Sequence, residues 1–232
     1  MKRTAVRFSL MFSALCLLNA CQPAADDAAG TQGGSSAAAD TVIEQLVPLP
    51  GLESSAPVLT QKTRIEMQTT GGNVVIDVYP EAAPNAAARF IELVENGFYH
   101  NTPISRVVPG FVAQFGINWR EGHSDWQDRN FDDDPTLFAL ERGTLAFAKA
   151  GPNTNSTQVF INYTENSHLA APQYNFTVFG KVVEGMEIVD SFVQVGDRSG
   201  GLDQGRLWTD GENYLASLPV QPSMILYTRI VD

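Results

Sequence analysis

The stretch FAKAGPNTNSTQVFIN, Phe147 to Asn162, decides the reading of this 232-residue chain. Gly151-Pro152-Asn153-Thr154-Asn155 concentrates turn formers, so it separates the end of one strand from the start of the next. From Gln158 to Asn162 polar and apolar residues alternate as in a half-buried strand, which puts Gln158 and Phe160 on one face.

Working outward, Ser105 to Val108 and Phe111 to Phe115 read as strands broken by Pro109-Gly110. Arg64 to Gln68 and Asn73 to Tyr79 alternate on either side of Gly71-Gly72, a β-hairpin with Val74, Ile76 and Val78 on one face. Pro84 opens a helix whose Ala87, Phe90, Ile91 and Val94 fall at i, i+3, i+4 and i+7, and Gly97 ends it. Downstream, Phe176 to Val183 is a strand, Gly185 to Gln194 a short helix with Met186, Val189 and Val193 inward, and Met224 to Val231 a closing strand. The polar segment Asn118 to Asp134 reads as a solvated acidic loop. It lacks the glycine after Asp132 and the glutamate near residue 139 that a calcium loop needs. Many strands, two helices and a last strand that returns late predict a mainly β fold, a barrel closed on itself because closure removes sheet edges.

Lys2, Arg3 and Arg7 take three of the 15 basic residues, which leaves 12 against 26 acids in the rest of the chain. Such a surface repels phosphate backbones and argues against nucleic acid as a partner. Those three bases precede the apolar run Phe8 to Leu18, the pattern of an export signal and too short to span a bilayer. The expected organisation is a signal over 1–20, a flexible Ala/Gly/Ser/Asp tether over 21–40, an extended lead-in over 41–61 and one domain over 62–232. Both cysteines, Cys16 and Cys21, lie before residue 22, so the domain has no disulfide to draw on. His100, His123 and His168 are widely spaced without ligand-like partners, so no metal site and no cofactor are expected. A hydrolase lacks support, since no serine occupies a Gly-x-Ser-x-Gly elbow.

Taken with Arg106-Val-Val-Pro-Gly-Phe-Val-Ala-Gln114 and Gly180-Lys-Val-Val-Glu-Gly-Met186, the opening stretch closely resembles the cyclophilins, peptidyl-prolyl cis-trans isomerases. The resemblance implies an eight-stranded antiparallel β-barrel with a helix over each end. It also implies an activity that needs no nucleophile: a fixed cation hydrogen-bonds the proline nitrogen as the amide twists, while an apolar cup grips the ring. Arg106 matches the cation, and a surface ion pair is the alternative for an arginine among so many acids. Phe111, Val112, Phe160 and Leu169 match the cup, with Phe176 beside them and a core role as the alternative for each. Gln114 matches the glutamine that positions the client backbone and Arg106; Gln158 shares the face of Phe160. Ala148, Lys149 and Ala150 lie where the family docks the client strand. His168 falls at or near a tryptophan associated with cyclosporin binding, and Lys149 replaces a frequent asparagine.

A second resemblance concerns Leu18-Asn19-Ala20-Cys21, which is similar to the lipobox of bacterial lipoproteins. It implies acylation at Cys21 and, with Gln22 after it, an outer-membrane anchor facing the periplasm; cleavage near Ala24 or Ala25 would instead release a soluble periplasmic protein. The resulting expectation is a monomeric, lipid-anchored isomerase acting on proline-containing polypeptides of the cell envelope. The competing expectation is a binding module that holds a proline-containing partner with little turnover.

Overall fold

A computed structural model describes residues 46–231; the expected signal over 1–20, Cys21 and the expected tether over 21–40 lie outside the described residues. Among these, eight strands close a barrel: β1 (Thr63–Thr69), β2 (Gly72–Val78), β3 (Thr102–Val108), β4 (Val112–Phe115), β5 (Thr144–Phe147), β6 (Val159–Asn162), β7 (Val178–Glu184) and β8 (Met224–Val231). The order around the barrel is β1-β2-β7-β5-β6-β4-β3-β8, with neighbouring strands antiparallel. β8 pairs with both β1 and β3, so the last strand removes two edges at once. This is the closed eight-stranded antiparallel barrel expected from the sequence.

Alternation along the strands sorts side chains into two cores. Val159 and Ile161 of β6 join Leu145, Phe147, Ala113, Phe115 and Phe179 in the larger cluster. Phe160 points the other way, into a second cluster with Val112, Ala146 and Val178. The strand expected to be half-buried is therefore buried on both faces. Sequence-distant Leu46, Leu59, Phe138 and Leu140 belong to that second cluster. Leu49 N–H donates to the Leu137 carbonyl at 2.9 Å and Ala139 N–H to that of Val47 at 2.8 Å, which ties the segment before β1 to the one before β5.

Helix α1 (Pro84–Glu95) buries Ala86, Ala87, Phe90, Leu93 and Val94, and its Ala83 cap offers no side-chain acceptor. Asp134 takes that role from afar, accepting from Asn85 N–H at 3.1 Å and Ala86 N–H at 2.9 Å. A carboxylate belongs at a helix N-terminus, where free N–H groups and the dipole favour it. Asp134 is only 4 % exposed, and burial raises its pKa against these two hydrogen bonds. The segment read as a solvated loop thus carries a buried cap at one end. It also holds a 3-10 turn (Ser124–Asp128) with Trp126 buried, because Arg89 of α1 reaches across to the Arg129 and Ser156 carbonyls.

The second helix, α2 (Met186–Asp190), is shorter than expected. It stops before Val193, which is 39 % exposed rather than inward. A third helix, α3 (Gln204–Ala216), was not foreseen. Asp203 caps it by accepting from Arg206 N–H at 3.0 Å, and the backbone kinks at Asp210. Leu207, Tyr214 and Leu215 dock it on Ile117, Val195 and Leu202, a small core separate from the barrel interior. Gly211 permits the approach: a Cβ there would lie 2.2 Å from the Trp119 ring. Alanine gains about 0.5 to 1 kcal/mol of helix propensity over glycine, but overpacking a closed contact costs about 1 to 3 kcal/mol. Gly211→Ala is therefore expected to lower the denaturant midpoint, and a midpoint at or above wild type would show that α3 is loosely seated.

Candidate active site

β3, β4 and β6 lie side by side, so three residues distant in sequence meet: Arg106 registers opposite Gln114, and Gln114 opposite Phe160. They line one cavity of about 620 Å³. Phe111, Val112, Phe160, Leu169 and Phe176 form its apolar side. Phe176 stands edge-on to Phe160, with ring centroids 5.5 Å apart. Ala148, Lys149, Ala150 and Gln158 complete the set of expected residues found around this cavity.

Arg106 is held at its edge by uncharged partners. Nε donates to the Ser199 carbonyl, and one terminal nitrogen donates to Gln114 Oε1 at 3.2 Å. The guanidinium carbon lies 5.7 Å from the centre of the Phe111 ring. Burial lowers its pKa from a very high starting value, and the group remains a cation at any physiological pH. Among the described residues no carboxylate forms an ion pair with Arg106, so the surface-pair alternative lacks a partner there.

The loop that presents Ser199 is ordered by Asp197. Its Oδ1 accepts from the N–H of Ser199 at 2.8 Å, from Ser199 Oγ at 2.9 Å and from Gly200 N–H at 2.7 Å, and these donors hold the carboxyl down at about 2. Gly201 lies flat on β3 at φ +74°, where a Cβ would sit 2.4 Å from the Ser105 carbonyl oxygen and 2.7 Å from Arg106 Cα. Only glycine tolerates both the positive φ and the contact.

Gln114 and Gln158 continue a directional chain. Gln114 Nε2 donates to Gln158 Oε1 at 2.9 Å, and Gln158 Nε2 donates to Gln204 Oε1 at 3.1 Å. Lys149 is pinned rather than free: Nζ lies 2.7 Å from Asp133 Oδ2 and donates to the Asn175 carbonyl at 2.9 Å.

His168 does not line the cavity. The 3-10 turn Ser167–Ala170 sends Leu169 inward and leaves His168 outside, stacked against Phe111 at 6.5 Å. Sequence reasoning missed Gln127, Asp128, Asn130, Thr154 and Ser156 on one side and Gln204, Gly205 and Trp208 on another. A signal for the second group existed in Asp203, a good N-cap, followed by Leu207, Tyr214 and Leu215 at helical spacing. Among the described residues, no group of three or more His, Cys, Asp or Glu is placed to hold a metal ion.

Residues 64–206 match the family model described as cyclophilin type peptidyl-prolyl cis-trans isomerase/CLD. A peptidyl-prolyl cis-trans isomerase of Acinetobacter baylyi is 34% identical over 190 residues, covering 79% of this chain and 93% of that one. Peptidyl-prolyl cis-trans isomerase A of Dickeya dadantii is 32% identical over 162 residues, 66% of this chain and 84% of its own. A crystal structure of a cyclophilin-type isomerase from Cryptosporidium parvum superposes with a TM-score of 0.56 over 74% of this chain and 99% of its own. A second structure of it, in the presence of the dipeptide Ala-Pro, gives 0.55 over 73% and 99%. At 23% identity these two carry the fold.

Proposed function

Because this chain belongs to the cyclophilin-type peptidyl-prolyl cis-trans isomerase family, we propose that it accelerates X-Pro isomerisation in exported proteins, with Arg106 stabilising the twisted amide. The observation that carries the mechanism is Arg106 itself, a cation oriented by Gln114 and the Ser199 carbonyl beside an apolar cup. Rotation about a peptide bond faces about 18 to 20 kcal/mol because nitrogen shares its lone pair with the carbonyl. As the bond twists, that pair localises on nitrogen and becomes a hydrogen-bond acceptor. A donor already in place stabilises this state more than the planar one, which is the requirement for catalysis. Phe160, Phe111 and Leu169 hold the ring, and the Ala148–Ala150 edge holds the flanking chain through backbone groups. The Ala-Pro dipeptide present with the Cryptosporidium parvum protein supports a proline ligand for this fold. No cofactor enters the mechanism.

The test is a proline-coupled peptide assay on the full chain. A rate above the uncatalysed one supports the enzyme; a rate equal to buffer with saturable peptide binding leaves the binding module.

Placement in the cell envelope rests on Leu18-Asn19-Ala20-Cys21 and the bases before it. Several acyl chains hold a protein on a bilayer stably where one does not. Cys21→Ser is expected to abolish fatty-acid labelling and move the protein from the membrane to the soluble fraction. Unchanged labelling in that variant removes the lipid-anchor reading.

A further inference from the structure

The groove does not end at the proline cup. Past Gln158 its wall is the first two turns of α3, where Gln204, Gly205 and Trp208 line the same cavity as Arg106. The family match stops at residue 206, inside this helix, so Trp208 lies beyond the matched residues. The wall is firm. α3 is anchored by its own apolar cluster, and Trp208 packs against both that cluster and the barrel core while its exposed part lines the groove. Gln204 closes the hydrogen-bonded chain that begins at Arg106, so its amide is oriented relative to the cation.

Also lining the cavity, from the segment around the 3-10 turn, are Gln127, Asp128 and Asn130. That segment is fixed too: Arg89 donates to the Arg129 and Ser156 carbonyls, and its guanidinium lies over the Phe131 ring at 5.1 Å. The part of the groove beyond Gln158 therefore offers an indole, several amides and one carboxylate. Among the described residues Asp128 has no ion-pair partner. Among the described residues the cations of the lining are engaged elsewhere, Arg106 with the Ser199 carbonyl and Gln114. Arg129 lies over Trp126 at 4.4 Å and is not part of the lining, and Lys149 is neutralised by Asp133.

We propose that α3 builds a second subsite, in which Trp208 and Asp128 select an arginine or lysine side chain of the client near its proline. A guanidinium or ammonium gains from the indole face and from the carboxylate, and its methylene stem suits the half-apolar wall. The proposal rests on the reading that the groove binds proline peptides.

The experiment uses the full chain and proline peptides carrying Arg, Ala or Glu at each of three positions before the proline and two after it. At one position Arg is expected to exceed Glu in kcat/KM by about three- to thirtyfold, the range of a partly desolvated cation over an indole. Trp208→Ala and Asp128→Asn should each bring that ratio towards one. Asp128 is exposed, so its variant reads the subsite even if Trp208→Ala folds poorly. An equal preference for Arg at every position reports the net charge of the protein and overturns the subsite, as does a ratio unchanged in Asp128→Asn. The same ratios read as Kd with labelled peptides decide the subsite independently of turnover; absence of isomerisation would sink the enzyme reading alone.

Discussion

Arg106→Ala is expected to lower kcat/KM by about ten- to a hundredfold while leaving the fold intact. A hydrogen bond from a charged donor contributes roughly 1.5 to 3 kcal/mol, and about 1.4 kcal/mol is a factor of ten in rate. The loss should fall on kcat, because the proline nitrogen becomes an acceptor only as the amide twists. Lysine should rescue poorly: Arg106 uses Nε on the Ser199 carbonyl and a terminal nitrogen on Gln114, and a compact ammonium cannot reproduce a planar fork. Stability should change little, since the guanidinium bonds to a loop carbonyl and to an amide that keeps Gln158 as a partner. The measurement is isomerase efficiency of Arg106→Ala and Arg106→Lys beside their thermal melts. A folded, fully active Arg106→Ala protein would sink the mechanism, and an unfolded one would assign the arginine to structure.

How far the sequence could be read follows from which forces are local. Strand alternation and turn residues are local, so the barrel and β8 with its bounds were legible. The cup was legible because Arg106 to Gln114 and Phe147 to Asn162 carry most of it in two short stretches. α3 was not, because Gly205, Asp210 and Gly211 interrupt its stripe and its stability comes from Ile117, Val195 and Leu202, remote in sequence. Asp132 is exposed as expected, whereas Asp133 and Asp134 depart from the solvated reading for the same reason. In a polar run they look solvated; only the approach of α1 to Asp134 and of Lys149 to Asp133 gives them partners. Leu169 faces the groove as expected while His168 does not, because one residue of shift in a 3-10 turn decides which side chain points inward.

The pair Asp133–Lys149 supplies the second large effect. Their side chains are 13% and 4% exposed, at 2.7 Å, beside the Ala148–Ala150 edge proposed to dock the client. Asp133 also accepts from Asn155 Nδ2 at 2.7 Å and from Asn153 N–H at 3.2 Å, so it binds the loop after β5 to the segment before that strand. Asp133→Asn keeps the shape and leaves a buried ammonium without a counter-charge, a loss of about 3 to 5 kcal/mol. Adding Lys149→Met removes the stranded charge and should recover most of it, because the two changes share one contact. The pH dependence has a definite sign. Burial pushes the Asp133 pKa up, but Lys149, Asn153 and Asn155 together hold it below its ordinary value. Its contribution is therefore complete above an unfolded pKa of about 3.9 and is lost as pH falls through the lower folded value. Urea melts at pH 7 should show the destabilisation of Asp133→Asn, and melts from pH 5 downward should show a shallower acid decline in the variant than in wild type. Wild-type stability in Asp133→Asn would mean that water or the Asn175 carbonyl satisfies Lys149 without the acid, and the pair would then have no part in holding the Ala148–Ala150 edge in place.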